Sequence, residues 1–244
     1  MIRARDLAIG YGGQPLQTGL DFDVAPGELF MILGGSGCGK STLLRTLVGL
    51  LPPVAGAMEV AGLTSPASHR ERPRFGVMFQ LGALFGSMTL EQNVSLPLEA
   101  WTDLDPATVR EVALSKLALV GLEGAGDKLP SEISGGMNKR ASIARALALD
   151  PPLLFLDEPS AGLDPISAAS LDDLILSLRD DHGTSVVIVT HELASIFRLG
   201  GRCLMLDREA GTSIALGTPE ELRDHPPHPT VRSFFRREAE VANP

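Results

Sequence analysis

The run GGSGCGKS at positions 34–41 constrains this chain more than any other stretch. It satisfies the pattern G-x-x-x-x-G-K-[ST] and has the flanks that the pattern needs. The continuously apolar LFMIL (29–33) precedes it, the mark of a strand covered on both faces. Leu43, Leu47, Leu50 and Leu51 follow it at helical spacing until Pro52-Pro53. Glycines in such a loop let main-chain N–H groups converge on an anion without Cβ interference, and the positive end of the next helix faces the same point. The candidate nucleotide-binding positions are Gly34, Gly35, Ser36, Gly37, Cys38, Gly39, Lys40, Ser41 and Thr42. Lys40 is placed to reach β- and γ-phosphates, and the Ser41 hydroxyl to ligate Mg²⁺.

Three further apolar runs, LLFLD (153–157), SVVIVT (185–190) and CLMLD (203–207), read as buried strands, the first two leading into helical stretches. With LFMIL they predict an α/β fold built on a mostly parallel sheet with helices on both faces. The first segment differs. Leu20, Phe22 and Val24 alternate with Asp21 and Asp23, and Pro26-Gly27 makes a turn, which predicts antiparallel strands. The middle third differs again. Asp105-Pro106 caps a helix whose apolar face is Val109, Val112, Ala113, Leu117 and Val120, so a mostly helical subdomain is expected from about Leu81 to Asp150. Thr218, Pro219 and Glu221 form a capping box, and the Pro- and charge-rich tail after His225 is expected on the surface.

Composition narrows the partners. The formal charge is −9 without a basic cluster, which argues against nucleic acid as a partner. Cys38 and Cys203 make no disulfide framework, which suits a reducing compartment. No apolar run reaches the roughly eighteen residues that a membrane span needs, and MIRARDLAIG lacks a signal-peptide block.

The run LLFLDEP (153–159) supplies acids for the phosphate chemistry. Asp157, at a strand end, is placed to orient a Mg²⁺ shell. Glu158, pointing differently as neighbours in an extended strand do, is a candidate to hold or deprotonate a water. His191 follows SVVIVT at the end of what should be a neighbouring strand, and strand carboxyl ends are where open α/β sheets place ligands.

A last element, ISGGM (133–137), precedes a helical face of Met137, Ala141, Ala144 and Ala148. Together with the phosphate loop and LLFLDEP, it resembles the ATP-binding subunits of ABC transporters over nearly the whole chain. The resemblance implies a P-loop NTPase core (1–80 and 151–225) with an N-terminal antiparallel β subdomain, an inserted helical subdomain (81–150) and a tail (226–244). It implies ATP and Mg²⁺ as ligands. Tyr11 matches the adenine-stacking aromatic, and Gln80, in FGVMFQ, matches the glutamine that senses Mg²⁺ and contacts a transmembrane partner. Ser134, Gly135 and Gly136 match the signature that binds the γ-phosphate held by a second copy. Asp157 and Glu158 match the metal and base positions, Asp164 the D-loop and His191 the switch histidine. By the same resemblance, Lys40, Gln80, Glu158 and His191 form the catalytic set, and Ser41, Gln80 and Asp157 the metal set.

The implied partners are a second identical subunit and transmembrane permease subunits, at the cytoplasmic side of the inner (plasma) membrane. Met137 stands where glutamine is commonest in the family. That departure, in SGGMNKR, and the segment FGVMFQLGALFGSMT (75–89) look like the Mce/Mla group, which moves phospholipid or other hydrophobic molecules. The narrower resemblance implies a membrane-anchored Mce-type substrate-binding protein as a further partner. Gly82, Leu84, Phe85 and Met88 either receive a permease helix or belong to the subdomain core. HPTVRSFFRRE (228–238) packs on its own core or reaches the second subunit. Alkylation of Cys38 is expected to block the loop.

Overall fold

The computed structural model describes residues 1–64, 72–80 and 82–236; Leu81, the expected subdomain start, and 237–244, the end of the tail, lie outside the described residues. The chain opens with β1 (Ile2–Tyr11) and β2 (Gln14–Val24), which pair antiparallel. As the alternation predicts, Leu20, Phe22 and Val24 of β2 are buried while Asp21 and Asp23 face out. β3 (Leu29–Gly34) follows, buried at every position, and its loop leads into α1 (Lys40–Leu47).

The helix ends earlier than the leucine spacing predicts. Gly49 adopts a left-handed φ of 79°. Its N–H then reaches Thr46 O at 3.0 Å, and that of Leu50 reaches Arg45 O at 2.8 Å, the paired bonds that close a helix on a glycine. Leu50 leaves the apolar face and is 60% exposed. β4 (Ala55–Val60) returns to β1 and completes a three-stranded antiparallel sheet in the order β2-β1-β4.

β5 (Gly76–Met78) begins the approach to Gln80. The chain then runs through α2 (Leu90–Trp101), α3 (Pro106–Leu119) and α4 (Gly135–Ala146). Asp105 caps α3 through the N–H groups of Ala107 and Thr108. Of the face expected there, Val109, Ala113, Leu117 and Val120 are buried and Val112 is partly so. β6 (Leu153–Asp157), α5 (Pro165–Asp180), β7 (Ser185–Val189) and α6 (Leu193–Leu199) restore the strand–helix alternation. β8 (Arg202–Asp207) turns back into β9 (Thr212–Gly217), and α7 (Pro219–Asp224) and α8 (Pro229–Arg236) close the described chain.

The main sheet has the order β5-β6-β7-β3-β8-β9, parallel except at the β8–β9 hairpin. Its central strands alternate between two cores, as period-two geometry requires of strands buried on both faces. Leu29, Met31 and Leu33 of β3 join Leu154 and Leu156 of β6 under the helices from α2 to α8. Phe30, Ile32, Leu153 and Phe155 face the other way, against α1 and the antiparallel sheet. The second face is thus covered by one helix and a sheet rather than by helices alone.

The tail is not simply a surface segment. Val231 and Phe235 of α8 are buried, and the Phe235 ring meets Phe197 of α6 edge-on at 5.8 Å. Val231, Phe234 and Phe235 fall at helical spacing and make an apolar stripe that the surrounding Pro and charge disguise. HPTVRSFF therefore packs on its own core.

One close contact tests this architecture. A Cβ on Gly76 would lie 2.1 Å from Ala146 O and 2.8 Å from Leu154 Cδ2, so β5 and the end of α4 meet only because glycine stands there. Gly76→Ala is expected to lower the unfolding free energy by about 2 kcal/mol or more in urea titration. Gly86→Ala, with open space around its Cβ, is the control and should cost little.

Candidate active site

The parallel register brings the expected site residues to one edge. Val189 of β7 is aligned with Ile32 of β3 on one side and with Asp157 of β6 on the other. The loop after β3, Asp157-Glu158 after β6 and His191 after β7 therefore leave the sheet at the same end.

The loop is held from below. Gly34 has φ 140°, and a Cβ there would sit 2.4 Å from Leu206 O, so its backbone lies directly on β8. Gln17 of β2 is fully buried, and its Nε2 donates to Cys38 O at 2.7 Å and Asp207 O at 2.8 Å. Lys40 curls back over the loop, its ammonium donating to Gly34 O at 2.8 Å and Gly35 O at 2.9 Å. Around Gly35 there is open space for a Cβ, so the fold does not itself require glycine at that position. Tyr11 lies beside the loop, its hydroxyl 3.1 Å from Thr42 Oγ1 and the residue 51% exposed. Cys38 departs from expectation. Its thiol is buried and pushed up by that burial, so it is a poor target for alkylation.

Glu158 is not extended, as its neighbourhood in LLFLDEP suggests. It adopts a left-handed φ of 50°. Its N–H donates to Val189 O at 2.8 Å, and His191 Nδ1 lies 2.8 Å from its Oε1. An ionised Glu158 requires the Nδ1–H tautomer of His191 in that pair. Both acids are buried, and Asp157 Oδ1 and Glu158 Oε2 have no hydrogen-bond partner among the described residues. Burial first, and the neighbouring Glu158 charge second, push the Asp157 carboxyl above its ordinary range. Two orphaned, buried carboxylate oxygens fit a site that takes up a cation and water. Among the described residues, no cluster of three His, Cys, Asp or Glu side chains could cage a metal alone. A cation here would need phosphate oxygens beside Ser41 and Asp157, as Mg²⁺ sites usually do.

The Ser-Gly-Gly turn lies elsewhere, at the start of α4. Ser134 caps that helix by accepting from Met137 N–H at 3.3 Å. A Cβ at Gly135 or Gly136 would meet nothing in its own chain closer than 3.8 Å. These glycines leave open surface that the fold has no need of. A cavity of about 460 Å³ opens there, lined by Gln80, Ser134, Gly135, Lys139, Ala161 and Gly162 among others, and by no residue of the phosphate loop. One chain thus gathers the loop, both acids and His191, and keeps the Ser-Gly-Gly turn apart from the loop.

The Gln80 side chain is exposed, while its main-chain oxygen accepts from the Lys139 ammonium. Asp164 caps α5 through the N–H groups of Ile166 and Ser167. Of the possible permease-facing residues, Phe85 is 56% exposed, Leu84 and Met88 are partly buried, and Gly82 is buried against Asn138 and Ser142. Asn93, fully buried, holds this loop by accepting from Phe85 N–H at 2.7 Å and donating to the carbonyls of Phe85, Met88 and Thr89. Sequence spacing does not mark Gln17 and Lys139, since each acts on the main chain of a distant segment, nor Asn93, which binds the irregular loop just before its own helix.

Comparison with known proteins gives the family and the fold. The family model described as ABC transporter matches residues 17–161. The probable ribonucleotide transport ATP-binding protein mkl of Mycobacterium leprae is 37% identical over 239 residues, covering 96% of this chain and 68% of that protein. The chain spans about two thirds of the length of the mycobacterial relatives it matches. The intermembrane phospholipid transport system ATP-binding protein MlaF of Escherichia coli K12 is 35% identical over 241 residues, 96% of this chain and 88% of that protein. Among solved structures, the ATP-binding cassette MJ0796, a dimer in a post-hydrolysis state bound to ADP and Pi, superposes with a TM-score of 0.78 at 27% identity, over 89% of this chain and 98% of that one. With the family model covering more than half of the chain and the fold shared, this chain belongs to the ABC transporter family as an ATP-binding, ATP-hydrolysing subunit.

Proposed function

We propose that two copies close head to tail around two MgATP and that hydrolysis drives a membrane permease carrying phospholipid or another hydrophobic molecule. The observation that carries the catalytic part is the Glu158–His191 pair at 2.8 Å beside two orphaned carboxylate oxygens, at the sheet edge where the phosphate loop begins.

Each residue then has a task. The loop N–H groups from Gly35 to Ser41 and the start of α1 hold the β- and γ-phosphates, and Lys40 exchanges loop carbonyls for phosphate oxygens. Tyr11, exposed beside Thr42, offers its ring to the adenine. Ser41 and Asp157, and by the family resemblance Gln80, would hold Mg²⁺, which would supply charge neutralisation to the phosphates. Glu158 holds the attacking water through its free Oε2, and His191 fixes the carboxylate through Oε1. The open N–H groups at Gly135 and Gly136 await the γ-phosphate of the partner's nucleotide, which accounts for glycines that their own chain does not need.

The transport part rests on other support. SGGMNKR and FGVMFQLGALFGSMT resemble the Mce/Mla group, and MlaF names intermembrane phospholipid transport. The exposed Phe85, on a loop fixed by Asn93, suits a permease helix, and an Mce-type lipid-binding protein would stand beyond it at the inner membrane. No helix of the described residues is long and apolar enough to cross a membrane. A ribonucleotide cargo is the second reading, on the name of the mycobacterial relative.

Three outcomes test these statements. Glu158→Gln should bind ATP and accumulate as a nucleotide-bound dimer in light scattering, with kcat lower by about 10²- to 10⁴-fold; undiminished turnover removes Glu158 as the base. Ser134→Arg should abolish hydrolysis yet leave nucleotide titration of the single subunit nearly unchanged. Purification with the membrane partner, followed by lipid extraction, should yield enriched phospholipid; a complex stimulated by ribonucleotides and free of lipid favours the second reading.

A further inference from the structure

Lys139 is a charged residue that the proposed mechanism leaves without a task. It sits one turn into α4, only 9% exposed. A lysine so deeply buried is rare unless its ammonium is fully engaged. Here the ammonium donates to two main-chain oxygens from two different segments, Gln80 O and, at 3.2 Å, Glu158 O. Burial pulls the Lys139 ammonium below its ordinary range, and the nearby carboxylates of Asp157 and Glu158 work against that. An apolar side chain would cost less to bury than this ammonium, so packing does not account for a cation at this point.

The second contact bears on a strained residue. Left-handed backbone at a non-glycine persists only where its surroundings enforce it. Glu158 is enforced from several sides: Val189 O takes its N–H at 2.8 Å, Ala161 N–H reaches its carbonyl at 3.3 Å, and His191 meets its side chain at 2.8 Å. Lys139 is the charged donor to that same carbonyl. Without it the Glu158 carbonyl keeps only the 3.3 Å bond from Ala161 N–H.

We propose that Lys139 is a positioning residue: its buried ammonium pins the carbonyls of Glu158 and Gln80 to the helix that begins at the Ser-Gly-Gly turn, and so holds Glu158 on its water. The proposal rests on Glu158 being the base. It adds a link within each chain. The helix that meets the partner's nucleotide is tied through one side chain to the residue that acts on the chain's own nucleotide.

A double-mutant cycle on the full chain tests it. Lys139→Met should lower kcat by about tenfold or more while ATP affinity, measured by titration, stays within about twofold, because aim is lost and the phosphate loop is untouched. In the Glu158→Gln background the same substitution should change the slow residual rate by less than about threefold, since no base is left to aim. Equal fold losses in both backgrounds, or wild-type kcat in Lys139→Met, overturn the proposal. If Lys139→Met fails to fold or to bind ATP, Lys139→Ala, whose space water can enter, is put through the same cycle with the same criteria. Unchanged turnover in Glu158→Gln alone overturns the underlying assignment of the base, and that result is separate from the cycle.

Discussion

The site depends on the parallel pairing of three strands, β6, β7 and β3, whose ends are level. Val189 faces both Ile32 and Asp157, and the Thr190 N–H still reaches Ile32 O at 3.4 Å. A parallel sheet sends all its strands out at one edge, so groups far apart in sequence meet there without any loop having to reach for them. The pairing is insulated on both faces. Alternate residues of each strand enter two separate apolar cores, one under helices and one under α1 and the antiparallel sheet. Sliding one strand by a single residue would exchange its two sets of side chains between those cores, and the phosphate loop would move away from Asp157. The apolar core thus serves as the ruler for the polar site.

At that edge the backbone stops being regular, and its polar groups find partners one by one. Gln17 and Lys40 supply donors to carbonyls of the phosphate loop. Val189 takes the N–H of Glu158. Among the buried side-chain atoms of the described residues, four lack a partner: one oxygen each on Asp157 and Glu158, where a hydrated cation and a water suit the proposed chemistry, and Oε1 of Gln17 and Oδ1 of Asp172, which lie outside it. The two orphans at the edge stand near a lysine whose ammonium donates to main-chain carbonyls rather than to either of these oxygens.

The sequence made the local parts of this site legible. GGSGCGKS, LLFLDEP and SVVIVTH each carry their own flanking strand, so the residues and their edge could be placed from spacing alone. The capping residues Asp105 and Thr218 were equally plain, because a cap acts within four residues. Contacts that span the fold were hidden. Lys139 and Gln17 read as ordinary polar residues, and only the folded chain brings a Glu158 or Cys38 carbonyl to them. The left-handed turn at Glu158 was hidden too, since nothing in LLFLDEP marks a departure from extended backbone. Leu50 misled for the opposite reason: it obeys the helical period, yet Gly49 has already closed the helix. Pro and charge around VRSFF masked a three-residue apolar stripe that packs on α6.

The glycines divide in a way that bears on the dimer. Gly34 and Gly76 are demanded by their own chain, where any Cβ would strike backbone. Gly35, Gly135 and Gly136 are not: a Cβ at each would find space. A glycine that its own fold can do without still has a physical consequence, because it leaves main-chain N–H groups open to whatever approaches. Gly35 belongs to the phosphate loop, whereas Gly135 lines a cavity that this loop does not line, with Gly136 next to it in the chain. If all three serve one triphosphate, the two surfaces must come from different copies of the chain. The cost of assembling them is then borne by the nucleotide, whose charge both copies share. In a subunit with a formal charge of −9, the triphosphate would then draw the two copies together locally, through the helix starts, and not through net charge.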